Sequence, residues 1–408
     1  MWKPATEHGG SSILSSSIKA IRNSSSMFSM RWSQASVETE LEELDLFQIH
    51  VTEGLSSLLN LSSDDRYSLL TIDFLISLLD VYLRLDEEFK GLLPLVQSQN
   101  PAAGAGAVSV LAKPPLDRII TDYLDRSIKS LDICTAVTNS LDMLSYSNRD
   151  ADIAVAVIRG KSPNKAQFNR AKNATLKLLS VISPLRSSSP KRAWSFGRTG
   201  SQDDLTGDSL KYPQRTLSLT LSKNWSATKQ LATMEANLHP PRGGEESALN
   251  LAFYTMSSVQ VLVMWLLVAS FPSLERCPVP GFPLPPQKLL WSGPMWEIHE
   301  RITDEWKKER RGAANVMPSA MLAEVHGLEK YGKRLMELGD STAVFPVEGD
   351  LAEEMEKEVK EMERISRVIE EEVEKLQKRI SDVFRAIIRC RAYVIDLKSQ
   401  NTPPSRFV

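Results

Sequence analysis

Ile369-Glu-Glu-Glu-Val373-Glu-Lys-Leu376-Gln-Lys-Arg-Ile380-Ser-Asp-Val383-Phe-Arg-Ala-Ile387-Ile-Arg-Cys390-Arg-Ala-Tyr-Val394-Ile-Asp-Leu397 is the stretch whose reading decides the fold. Its numbered residues alternate spacings of four and three across four heptads without a miss. That is the a/d pattern of a helix with one buried stripe. Upstream, Asp350 with Glu353 three residues on reads as a capping-box start. The helix is expected to cover 350–398, on the order of 75 Å at about 1.5 Å per residue. Its charge is polarised, with eleven acids and four bases over 350–374 against two acids and seven bases over 375–399. Both ends therefore complement the helix dipole. The seam over 369–397 leaves two readings open, a homodimeric coiled coil or a long helix packed on its own chain. The in-chain bundle is the expectation, because 37–58 and 120–141 keep near-heptad spacing and can supply partners.

Working outward, the same periodicity recurs. Val37, Leu41, Leu44, Val51, Leu55 and Leu58 fall on one stripe, with Gln48 filling its gap. Ser62, Ser63, Asp64 and Asp65 break that helix. A second follows, with Leu70, Phe74, Leu75, Leu78, Leu79, Tyr82, Leu85 and Phe89 inward and Gly91 and Pro94 at its end. After Pro114-Pro115 comes a third, with Ile120, Leu124, Leu131, Cys134 and Leu141 on a seam that Ile119, Tyr123 and Ile128 widen. Shorter helices are expected at 150–159, 165–182 and about 223–238, and two more near 294–311 and 318–338. The fold class is all-α. An N-terminal bundle covers 37–183 and a C-terminal helical region covers 222–398.

Between Glu246 and Glu275 no residue carries a formal charge. The densest part, Val259-Gln-Val-Leu-Val-Met-Trp-Leu-Leu-Val-Ala-Ser-Phe271, invites a membrane span, since about twenty apolar residues cross a bilayer. Asn250, Thr255, Ser257, Ser258 and Gln260 argue against it, because their polar groups cannot be left bare in lipid without cost. Prolines from Pro272 onward also end the run early. A buried central helix at 249–271 is the expectation, with any membrane association peripheral, and a single span is the alternative.

Two segments lack the apolar content to fold. Residues 1–36 are serine-rich with Glu7 as their one acid, a composition shared by disordered tails and organellar transit peptides; a flexible tail is the expectation. Residues 184–221 read as a basic, serine-rich linker, with Arg186, Lys191, Arg192 and Arg198 and no acid before Gly200. Arg192 stands three residues before Ser195, and Ser189 precedes Pro190, so both serines suit kinases that read those contexts. Phosphate there would cancel local positive charge.

Chemistry-bearing patterns are scarce. A formal net charge of −2 excludes a strongly basic whole-chain footprint for nucleic acid. Cys134, Cys277 and Cys390 cannot all pair within one chain and lack metal-ligand spacing, which favours a reducing, cytoplasmic setting. His8, His50, His239, His299 and His326 have no His or Cys partner at helical spacing. Gly160-Lys161-Ser162 resembles the end of a phosphate-binding loop, but Val155 stands where its first glycine belongs. No catalytic, cofactor-binding or metal-ligating residue is assigned, and the expectation is a non-enzymatic protein without a cofactor.

Certain stretches carry a resemblance. Trp194-Ser195-Phe196-Gly197, Ser222-Lys223-Asn224-Trp225-Ser226-Ala227 with Lys229-Gln230, Asn237-Leu238 with Pro241-Arg242-Gly243, and Met256-Ser257-Ser258-Val259 running into Val263-Met264-Trp265 are landmarks of one plant family. Leu41-Glu-Glu-Leu-Asp-Leu-Phe47-Gln48 fits the same pattern. The chain from about residue 38 onward resembles the BYPASS-related family, most closely its ROH branch. The resemblance implies an all-helical adaptor that binds exocyst subunits of the Exo-seventy type and so modulates exocytosis. The alternative it implies is a membrane-anchored, BYPASS-like regulator of a root-derived mobile signal. It brings no binding residues with it.

Overall fold

Each strong periodicity in the sequence is realised as helix. The computed structural model describes residues 34–61, 69–94, 114–159, 163–182, 225–241, 248–271, 282–312, 321–342 and 345–400. Among these are nine helices and no strand, so the fold is all-α. They are α1 (Gln34–Asn60), α2 (Ile72–Leu92), α3 (Leu116–Ile158), α4 (Lys165–Ile182), α5 (Ala227–Ala236), α6 (Ala248–Ser270), α7 (Ser292–Gly312), α8 (Ala323–Ser341) and α9 (Asp350–Gln400). The linker 184–221 lies outside the described residues, as do Ser189, Ser195, Cys277, His8 and Gly160-Lys161-Ser162. So does the tail, except that residues 34–36 already belong to α1.

Local chemistry sets several boundaries. Thr71 caps α2, its hydroxyl accepting the Phe74 amide at 3.1 Å. Asn164 and Gln167 exchange side-chain-to-backbone bonds of 2.9 Å each, a reciprocal capping box that opens α4. The start of α9 differs from expectation. Asp350 is already helical, and the cap position falls on Gly349, whose φ of 69° suits a residue without a Cβ. Its carbonyl accepts the Ala352 and Glu353 amides.

A second difference is in α3, which runs unbroken where the sequence suggests a seam at 120–141 and a separate helix at 150–159. Within the polar run at 145–150, Ser147 and Asn148 face inward while Ser145, Tyr146 and Arg149 are exposed. Asn148 is buried and donates its amide to the Ser366 carbonyl of α9 at 2.9 Å. Helices α3 and α9 lie antiparallel, as successive ties show: Lys398 to Asp117 at 2.6 Å, Gln377 to Asp142 at 2.8 Å, Arg159 to Glu363 at 2.8 Å. Ile128, expected to widen the seam, is instead exposed.

The heptad seam of α9 is buried throughout, from Ile369 to Leu397, against α2, α3 and α8 of the same chain. Helix α6 packs on α1, α2, α3 and α5. The buried apolar residues of the first and second helical regions form one cluster. Close approach substitutes for side chains on α8. A Cβ on Gly339 would stand 1.8 Å from the Phe168 ring of α4, so no larger residue fits without moving that ring.

Helix α6 passes the length and composition test for a span, yet 94% of its most apolar window is buried inside the protein. Its last carbonyls are satisfied by protein, because Met321 and Leu322 donate their amides to Ala269 and Ser270. Ala323 donates onward to Leu70, so the end of α6, the start of α2 and the start of α8 are held at one junction.

Candidate functional site

With the helices placed, polar groups buried among them are the positions where function or specificity can reside. Two such groups stand out, and they behave differently.

The first centres on Arg126 of α3. Its guanidinium is buried and donates to the Ser257 hydroxyl of α6 at 3.0 Å, to the Asn237 carbonyl at 2.8 Å and to the Met234 carbonyl at 3.3 Å. The last two are free carbonyls at the C-terminal end of α5, where a cation complements the dipole. Ser226 caps the other end of α5, accepting the Lys229 amide. Close by, Gln48 of α1 fills the gap in its own apolar stripe. It donates to the Thr255 hydroxyl at 2.9 Å and accepts the indole N–H of Trp291. Gln48, Ser226, Asn237 and Ser257 all come from the motif stretches quoted above. Gln48, Asn237 and Ser257 connect α1, α3, α5, α6 and the start of α7 to one another, and Ser226 caps α5.

The second lies where α2, α3 and α9 meet. Asp86 is fully buried, and neither carboxylate oxygen has a hydrogen bond of good geometry; the nearest cation is Lys90, 3.5 Å away on the same helix. Burial pushes the carboxyl up to about 6, with Lys90 pulling the other way. Facing it are Cys390 and Tyr82, and Cys390 Sγ lies 3.1 Å from the Tyr123 hydroxyl. The Tyr82 hydroxyl and both amide atoms of Gln260 on α6 lack partners. Burial pushes the Cys390 and Cys134 thiols up to about 12, so they stay protonated, and only a thiolate is a competent nucleophile.

The residues singled out from sequence scatter. His50 pairs with Glu88 at 2.9 Å, and His299 stacks at 5.4 Å from Trp265, where burial lowers its pKa. His239 and His326 stand elsewhere. No group of three or more His, Cys, Asp or Glu that could hold a metal ion occurs among the described residues. Cys134 and Cys390 are free and buried. Of the polar residues in the uncharged segment, Thr255 and Ser257 are bonded to other helices, and Ser258 returns its hydroxyl to the Tyr254 carbonyl.

Asp86 and Arg126 were not singled out from sequence. A signal existed for both: Asp86 lies four residues after Tyr82, and Arg126 three after Tyr123, each on its helix's inward stripe. A charged residue on such a stripe marks a buried polar site.

Comparison with known proteins matches nearly the whole chain. The model of a family described as Protein ROH1-like matches residues 3–397. Protein ROH1A of Arabidopsis thaliana is 36% identical over 394 residues, covering 89% of this chain and 91% of that protein. Protein ROH1D of the same plant is 29% identical over 382 residues, covering 88% and 89%. No solved structure gives a significant match.

Proposed function

Because the chain belongs to the ROH1-like family, we propose that it is a non-enzymatic adaptor of the cytoplasm that binds an exocyst subunit of the Exo-seventy type and so modulates secretion. The observation that carries this is a match running almost end to end, so the whole helical architecture, and not one module, is what the family shares. The geometry supports it. Buried polar chemistry is spent on joining helices, as at Arg126 and Gln48, and the buried thiols are held in their unreactive form. Rigid helices with worked-out cores are suited to presenting surfaces to other helical proteins.

The alternative, anchoring through 249–271, would require α6 to leave four helices and abandon the bonds of Thr255 and Ser257. Calorimetric titration of the intact protein with a purified Exo-seventy-type subunit tests the adaptor role directly. A saturable complex is expected. Absence of heat and of co-elution would sink the reading, and quantitative retention in carbonate-washed membranes without aggregation would promote the anchored one.

A further inference from the structure

Helix α1 carries charge of one sign. Its sequence holds Glu38, Glu40, Glu42, Glu43, Asp45 and Glu53, and neither lysine nor arginine. Leu44, Phe47, Gln48, Val51 and Leu55 turn inward to α2, α6 and α7. Glu42, Leu46, Ile49 and Glu53 follow at spacings of four, three and four, which places them on one solvent-facing stripe beside Glu43. Leu46 is 51% exposed and Ile49 40%.

The neighbouring element carries exposed apolar side chains of its own. Trp291 is buried and bonded to Gln48, which holds the turn into α7 against α1. On that turn and in the second turn of α7, Leu290 and Trp296 are each 38% exposed. The bases there, Lys288 and Arg301, are already engaged within the chain, Arg301 with Glu297 at 2.8 Å. Large apolar side chains thus stand in water on both elements, those of α1 between acids of the same stripe.

We propose that this face docks a basic amphipathic helix of a partner protein. Its apolar residues would lie over Leu46 and Ile49, and its Lys or Arg flanks would meet Glu42, Glu43 and Glu53. The apolar anchors supply affinity, and the acidic rim supplies orientation and rate. Charge selects the occupant: a second copy of α1 would set acid against acid, and an anionic membrane surface would be repelled. The proposal rests on the adaptor role above and gives it an address.

The test uses the intact chain and a labelled Leu/Lys amphipathic peptide of about 20 residues, long enough to be helical. A Leu/Glu peptide of the same pattern serves as its counterpart. Wild type is expected to bind the Leu/Lys peptide, more weakly as salt rises. The exposed-face variants Leu46→Ser with Ile49→Ser, and Glu42→Lys with Glu43→Lys, should each bind about 10-fold more weakly or worse. Ile388→Ser with Ile395→Ser, an exposed apolar pair on α9, should bind as wild type. Equal binding by the α1 variants, equal binding of the Leu/Glu peptide, or a halved mass for Leu46→Ser/Ile49→Ser in light scattering would each overturn the proposal, the last by seating a second copy there. With a purified Exo-seventy-type subunit as probe, unchanged affinity in the α1 variants overturns this surface and leaves the adaptor role standing. If wild type ignores that subunit while peptide binding still depends on Leu46 and Ile49, the surface stands and the exocyst assignment falls.

Discussion

Helix α6 has no formal charge and is buried on nearly every side, whereas α9 carries charge along its outer face and buries a single seam. Both are held inside the same core, but by different means. Helix α9 is placed by pattern: each heptad position from Ile369 to Leu397 enters the core, and its flanks are tied by Lys398 to Asp117, Arg379 to Asp80 and Arg159 to Glu363. Helix α6 has no stripe to set its rotation, since apolar residues surround it. Its few polar side chains do that work, with Ser257 fixed by Arg126 and Thr255 by Gln48. A stripe specifies orientation through solvent, and an all-round apolar helix needs polar contacts to specify it.

The strongest way to break this contrast is to put a charge on the inward side of each helix. Val263→Arg should be the more damaging, because α6 offers no solvent face to which a guanidinium can reach. Its cost is on the order of 5 kcal/mol or more, comparable to the whole stability of an ordinary domain. Leu376→Asp loses about 2–5 kcal/mol of packing and cavity energy and adds a buried charge, although polar neighbours flank its seam. Circular dichroism and light scattering read both. Loss of helix is expected for each; a folded Leu376→Asp of half the wild-type mass would assign the seam to a dimer after all.

These two helices also show what the sequence makes legible. The α9 seam could be read residue by residue because a period survives without knowledge of partners. The rotation of α6 could not, since Ser257 and Arg126 are brought together only by the fold. Likewise the continuity of α3 from the 120–141 seam into 150–159 could not be read, since Asn148 meets its acceptor, the Ser366 carbonyl, only across the α3–α9 interface. Asp86 sat on a readable stripe, yet its surroundings come from α3 and α9 as well as α2. Exposed Leu46 lay inside the Leu41–Gln48 motif and Ile49 one residue beyond it, but exposure is a property of what fails to cover them.

A smaller effect sharpens the comparison through pH. Asp86 meets α9 at Cys390, and its folded pKa is raised from 3.8 to about 6 by burial. A raised folded value means that the folded state holds the proton more tightly. Asp86's contribution is therefore fully present below about 3.8 and is lost as pH rises through about 6. Above that, the ionised carboxylate costs a few kcal/mol in order of magnitude. Asp86→Asn should accordingly raise stability to urea by about 1–3 kcal/mol at pH 8 and leave it nearly unchanged at pH 4. Glu235, pushed by burial up to about 7, adds a second slope of the same sign in the wild type and in the variant alike. A variant that loses stability equally at both pH values would show that the carboxylate is held by the Lys90 contact and not merely tolerated.

The smallest effect belongs to the outer face of α9. Arg385 is 62% exposed in its side chain and lies 3.0 Å from Asp382, one turn earlier. Asp382 keeps a second cation in Arg379 at 3.7 Å, which itself reaches Asp80 of α2 at 2.9 Å. Removing Arg385 thus strands no buried charge and breaks no tie between helices. Arg385→Gln should shift stability by less than about 0.5 kcal/mol, and added salt should shrink even that, because an exposed pair one turn apart gains little over its hydrated state. Chemical denaturation of wild type and variant at two salt concentrations measures it. A loss beyond about 1 kcal/mol would mean that this face is covered in solution, as it would be if two copies met along 369–397. From Ala252 to Ser270 every side chain of α6 is buried, so that stretch has no position at which a comparable surface substitution could be neutral, and this separates a core helix from one that walls the core.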